Sequence, residues 1–336
     1  METPRLQRVA ALALAAGLAV AFAPARSAAK PKLPSRTVVC GEVLTESLRV
    51  ANNLRDCPGD GLLVGAPGIT IDLGGHRIDG DLAAGNAGID NGAGHNDVVI
   101  QNGIVSEFES GVLLQGASGN AVTELRVIDN AFGIDLSSSP GNTLKGNVAT
   151  NHSMGIRLVA GSDDNLVSAN DSSGNAIGFY VEASSGNLFT GNLAEGNRVF
   201  GVENFSAPGN DYRGNVLRGS GFAGLILDGA SNDCVVKGNQ ASANDRVGIE
   251  ITLGTGNVLL GNSTHENGEN GILSNTNAVT LKKNKANGNG FLSGGAGDDM
   301  GLGIAVPAGA TSSGNKAAGN DDPNECEADD LNCFVP

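Results

Sequence analysis

A four-residue phrase recurs through this chain: Gly133-Ile134-Asp135-Leu136, then Gly155-Ile156-Arg157-Leu158, then Gly178-Phe179-Tyr180-Val181. Its glycines fall at Gly88, Gly111, Gly133, Gly155, Gly178, Gly201, Gly224, Gly248 and Gly271, always 22 to 24 residues apart. Ile, Val, Leu or Phe follows each one. A period held that tightly is a structural repeat, so one elongated unit replaces the two ordinary domains that 336 residues would otherwise suggest. The 51 glycines follow no Gly-X-Y rule, which excludes collagen, and 40% hydrophobic residues argue against disorder.

Each coil holds three short strand-like pieces joined by Gly, Asn and Ser turns. Residues 142–164 give the plan: Asn142-Thr143-Leu144-Lys145, then Gly146-Asn147-Val148-Ala149, then Gly155-Ile156-Arg157-Leu158. No stretch carries a helical period long enough to compete. Strands this short cannot bury a face alone, but stacked coils can. Two asparagine columns keep the same register. One runs Asn147, Asn170, Asn192, Asn215, Asn239, Asn262 and Asn284; the other runs Asn151, Asn175, Asn197, Asn244 and Asn267, with Ser220 on the missing rung. Asparagine tolerates left-handed backbone, and amides stacked at strand spacing can form ladders.

The repeated N-x-[LV]-x-[GAK]-N-x-[VA]…N…G-[IV]-x-L, across roughly residues 60–310, resembles the right-handed parallel β-helix repeat proteins of the pectate-lyase-like superfamily. Cys40-Gly41, Leu44-Thr45 and Cys57-Pro58-Gly59-Asp60-Gly61-Leu62, running on to Ile71-Asp72-Leu73-Gly74-Gly75-His76, also resemble the leading segment of secreted bacterial members. The resemblance implies an all-β, single-stranded right-handed parallel β-helix of about 23 residues per coil, with three short strands in each. A leucine-rich repeat has a similar period but would need L-x-x-L-x-L-x-x-N in every unit, and leucine is too sparse here.

The two ends read differently from the repeat. Arg5 and Arg8 precede an apolar run at 9–23, and small residues suit cleavage after Ala25 or Ala29, so residues 1–29 read as a signal peptide. Residues 30–60 are a linker and cap, 61–310 the β-helix, and 311–336 an acidic cap or tail. Cys40 pairs with Cys57 and Cys326 with Cys333 in this reading, stapling the solenoid ends of an exported protein. Cys234 is left over. After the signal no apolar stretch is long enough to span a membrane. The formal charge is −15, and it becomes −17, with 18 basic against 35 acidic residues, once residues 1–29 are removed. Such a surface repels phosphate backbones, which excludes nucleic acid as a partner. The expectation is a monomer in the periplasm or medium.

In a strand reading Gly-Ile-x-Leu the apolar pair points inward and x points out. The outward column is Asp90, Leu113, Asp135, Arg157, Tyr180, Glu203, Ile226, Glu250 and Leu273, and a parallel column two residues on carries Glu182, Phe205 and Asp228. Members of the resembled superfamily bind polysaccharides along such a face. Elimination from a uronate sugar needs a base, a proton donor and a means of neutralising the carboxylate. On this reading Arg157 is the base and Tyr180 the donor. Asp135, Glu203 and Glu250 bind substrate, while Glu182, Glu203 and Asp228 are oxygen ligands for Ca²⁺.

Hydrolysis instead needs two carboxylates about 5–9.5 Å apart. Glu182 and Glu203, at about 8 Å by strand spacings, would fit. The aspartate cluster and Gly-His-Gly segment of hydrolytic relatives are missing, however, with Gly75-His76-Arg77 and Gly94-His95-Asn96 in their place. The plainer alternative pairs Arg157 with Asp135 as a surface salt bridge worth under about 1 kcal/mol. It makes the protein a non-catalytic structural or adhesive molecule with calcium-dependent packing. His76, His95, His152 and His265 share no column and read as turn or surface residues. Phe132, Phe179, Phe189 and Phe222 read as core or turn packing, leaving only Tyr180, with Phe205 nearby, as a sugar platform.

Overall fold

The computed structural model describes residues 32–291, 301–322, 326–327 and 333–334. The signal-peptide reading of residues 1–29 lies outside them, as does most of the insertion that follows Asn284. Every described element is a strand, and every pairing is parallel. Among the described residues no helix is long and apolar enough to cross a membrane.

Three sheets run along a parallel β-helix. The first has 13 strands, from Glu42–Leu44 to Cys326–Glu327, and contains all the Gly-Ile-x-Leu segments. The second has 15 strands and starts at Ser35–Arg36; the third has seven and starts at Leu193–Glu195. Ahead of that point the coils differ from the expected three short strands. Val99–Ser106 and Ala121–Ile128 are single eight-residue strands that turn a corner at Asn102 and Glu124, whose φ values are 60° and 54°. The solenoid is also longer than residues 61–310. Glu42–Leu44 pairs with Leu62–Val64, and Asn315–Ala318 with Lys285–Asn287, so both expected caps are themselves coils. The Cys40–Cys57 disulfide closes the first of them. Cys326 is disulfide-bonded, while the side chain of its expected partner Cys333 lies outside the described residues.

The repeat glycine is required by space. A Cβ at Gly178 would stand 2.6 Å from the Gly201 carbonyl oxygen, and one at Gly201 2.5 Å from that of Gly224. No side chain fits between coils there. The next residue, such as Ile156 or Phe179, drops into a core of aliphatic stacks. Phe179, Phe189 and Tyr212 widen that core, the last two stacked at 5.0 Å. The fully buried Tyr212 hydroxyl donates to Asn204 Oδ1 at 2.7 Å, and Asn204 occupies a rung that holds Val181 and Leu227 in adjacent coils. Cys234 sits beside them, buried and free, with its thiol pushed up to about 11 by burial. A thiol so protonated is inert.

The first asparagine column is a ladder as expected. Asn147 Nδ2 donates to Asn170 Oδ1 at 3.0 Å, Asn192 to Asn215 at 3.0 Å and Asn262 to Asn284 at 2.9 Å. Its left-handed residue is the one before the asparagine, for example Gly146, Ala169 and Gly191. The second column differs by one place. His152, not Asn151, holds the rung, accepting the Asn130 N–H on Nδ1 at 3.0 Å while its own N–H donates to Asn175. Nε2 lies 3.1 Å from the Val127 carbonyl, and burial lowers the imidazole pKa, which suits a neutral ring. Asn151 is the exposed left-handed turn residue beside it. A third ladder, through Asn120, Asn142, Asn165, Asn187 and Asn210, was not read from the sequence.

Candidate functional site

Strand register fixes the outward column. Asp135 opposes Arg157, Arg157 opposes Tyr180, Tyr180 opposes Glu203, Glu203 opposes Ile226, and Ile226 opposes Glu250. Because each strand is locked by the glycine and the apolar pair on either side of x, these side chains follow one another at the inter-strand spacing of about 4.8 Å. In the parallel column Glu182 opposes Phe205, and Phe205 opposes Asp228.

Arg157 is ion-paired. Its Nη1 reaches Asp135 Oδ2 at 3.0 Å and Oδ1 at 3.2 Å, and its guanidinium lies 4.6 Å over the Phe132 ring. Burial lifts the Asp135 carboxyl above the usual carboxylate range against the pull of Arg157. Tyr180 is pushed up to about 12, first by burial and then by the neighbouring charge of Glu182. Burial raises Glu203 as well, helped by the charges of Asp228 and Glu182. Glu250 is raised by burial, and its Oε2 is buried with no partner among the described residues.

The expected calcium trio is spread out. Phe205 separates Glu182 from Asp228, and Asp228 already accepts from the Gly229 N–H at 2.7 Å and from the Thr252 hydroxyl. Among the described residues no three His, Cys, Asp or Glu side chains converge on a point that could hold a metal ion. Ligation by this trio would need Glu182 and Asp228 to swing toward Glu203.

An apolar stripe flanks the polar column and corrects the reading of the phenylalanines. Phe132, Met154, Ile177 and Phe200 are only half-buried, each directly before a repeat glycine. Phe222 stands next to Phe200 with ring centroids 5.4 Å apart, and Arg246 lies 4.2 Å over Phe222 while bonding Glu269. Phe205 is exposed. The signal was available over four successive coils, since Phe132, Met154, Ile177 and Phe200 stand directly before Gly133, Gly155, Gly178 and Gly201. The face therefore offers cations, hydroxyl and carboxylates beside flat apolar rings, the mixture that holds a sugar chain.

The sequence profile described as right-handed β-helix region matches residues 50–172, 86–241 and 172–322. No curated protein sequence matches the chain. Among solved structures, the A-module of mannuronan C-5 epimerase AlgE4 from Azotobacter vinelandii matches with a TM-score of 0.57 at 14% identity, over 89% of this chain and 90% of that one. An alginate lyase from Paenibacillus sp. matches with 0.52 at 14% identity, over 71% and 91%. The Dettilon tailspike protein matches with 0.50 at 15% identity, over 87% of this chain and 61% of the tailspike, so this chain spans less than two thirds of the tailspike's length. At these identities the likeness is one of fold.

Proposed function

The chain belongs to the right-handed β-helix family, and we propose that it binds a polysaccharide along its 13-stranded sheet and cleaves an acidic one there by β-elimination. The observation that carries this reading is the order of three rungs in register: the cation Arg157, the hydroxyl Tyr180 and the carboxylate Glu203. Elimination removes the proton at C5 of a uronate, closes a C4=C5 double bond and expels the glycosidic oxygen from C4, which takes up a proton.

The Asp135 pairing changes the role expected of Arg157. A guanidinium is a fixed cation in a protein, so Arg157, held by Asp135, is the cation that meets the sugar carboxylate. Tyr180, protonated at neutral pH, supplies the proton to the leaving oxygen. Glu203 takes the C5 proton, because its raised pKa makes it a stronger base than an ordinary carboxylate. Asp135 orients Arg157, and Glu250 extends the surface two rungs beyond Glu203. Calcium among Glu182, Glu203 and Asp228 is the alternative use of this trio: an ion there would offset their mutual repulsion and take Glu203 out of the base's role. The Cys40–Cys57 disulfide supports an exported protein.

The test is ultraviolet absorbance of unsaturated uronates after incubation with pectate, alginate and glycosaminoglycans, with and without Ca²⁺. The expected result is a rise on one polymer that drops by about 10²-fold or more in Tyr180→Phe and Glu203→Gln. A rise that survives both substitutions and Arg157→Ala overturns the assignment. A second reading has its own observation: carboxylates outnumber cations along the face, and Arg157 already has a partner. Calorimetric calcium binding with no rise on any polymer would favour that non-catalytic, adhesive reading.

A further inference from the structure

Residues 80–86 form a loop between Arg77–Asp79 and Ala87–Asn91, and it holds Leu82 in an unfavourable position. The side chain is 63% exposed, and the backbone φ is +61°, a conformation that costs any bulky L-residue energy. The loop is nevertheless well fastened. Leu82 N–H donates to the Glu107 carbonyl at 2.8 Å, Asp81 accepts from the Ala83 N–H at 3.0 Å, and the Glu109 carboxylate accepts from the Gly85 N–H. What the loop overhangs is an apolar hollow of about 330 Å³, lined by Leu82, Ala84, Phe108, Glu109, Ala131 and Phe132. Phe108 is buried and forms its floor.

The hollow is continuous with the face described above through a single ring. Phe132 carries the Arg157 guanidinium 4.6 Å over its centroid and also lines the hollow. A strained leucine fastened over an apolar floor and left mostly exposed gains burial when something apolar fills the space beneath it.

We propose that this hollow is a subsite for one pyranose unit of the glycan bound at Arg157, clamped with its C–H face between Leu82 and Phe132. The inference rests on the polysaccharide reading of that face. It adds that the chain being read continues past Arg157 toward the N-terminal coils, and that the unit lying there is chosen for an apolar ring face and not for its charge. Glu109, at the rim, disfavours a second carboxylate in this place.

The test is calorimetric titration of the full chain with oligosaccharides of increasing length from alginate, polygalacturonate and hyaluronan, the last placing an uncharged unit beside each uronate. Leu82→Gly removes the clamp and relieves the positive φ, so the fold is not weakened. Ala84→Phe, at an exposed position, fills the hollow. Both variants are expected to weaken long oligosaccharides about five- to tenfold, the scale of one partly buried apolar side chain, and to leave disaccharides unchanged. Long oligosaccharides that bind both variants as tightly as the unaltered chain overturn the subsite and leave the functional reading standing. Equal weakening of disaccharides also overturns it. If no oligosaccharide binds the unaltered chain, the functional reading falls and takes the subsite with it.

Discussion

Glu250 stands in the outward column between Ile226 and Leu273, with one carboxylate oxygen buried and unpaired among the described residues. Burial raises its carboxyl pKa, so the folded chain keeps a proton at a pH where the unfolded chain, near the ordinary 4.5, has lost it. Stability through this group therefore falls as pH rises out of the carboxylate range, and the cost is complete at neutral pH. Glu250→Gln is expected to raise the unfolding temperature at pH 7, by on the order of 1 kcal/mol in stability. The gain should shrink at pH 4, and thermal scans at the two values check it. If Glu250 contacts substrate as proposed, the same variant is stabilised at the expense of binding.

At the scale of the element, the ladder is what joins one coil to the next. Asn215 takes the Asn192 N–H and Nδ2 on Oδ1, at 2.9 and 3.0 Å, and gives its own Nδ2 to Asn239 at 2.9 Å and to the Phe189 carbonyl at 3.1 Å. Asn215→Ala leaves several of these buried groups unpaired and is expected to cost about 3 kcal/mol, read as a lower urea midpoint. Asn151→Gly, at the exposed left-handed turn, should stay within about 0.5 kcal/mol. The contrast also measures how far the sequence could be read. Period, sheet register and the first ladder were legible because glycine, aliphatic and asparagine recur at one spacing. His152 was not, because a histidine can do an asparagine's work only where Nδ1 meets a backbone N–H, and no neighbouring rung announces that. Asn204 and Tyr212 hid similarly, as a buried polar pair whose remaining partners, Ala207, Asn210 and Ser231, come together only in the folded coil. The half-exposed stripe of Phe132 and Phe200 was missed for a geometric reason: strict alternation places the residue before the glycine inside, and the pairing of Phe132 with Met154 and of Ile134 with Ile156 passes over the glycine between.

The whole molecule is a stack of near-equivalent coils, so its stability is approximately a sum of coil and interface contributions. Residues 240–262 make one full period, from the rung after Asn239 to Asn262. Their removal would keep the register, setting Val216 against Ser263 and, in the core, Leu225 against Ile272. Such a shortened chain is expected to keep its β-sheet circular dichroism and a cooperative unfolding transition, whereas loss of residues 240–250 alone should abolish both. The ladders also give the stack a direction. Each amide hands one hydrogen to the asparagine oxygen of the coil that follows and accepts on its own oxygen from the coil before, so a coil turned end for end would bring donor against donor. A gene encoding such a chain can therefore lengthen it only by copying whole periods in the reading sense.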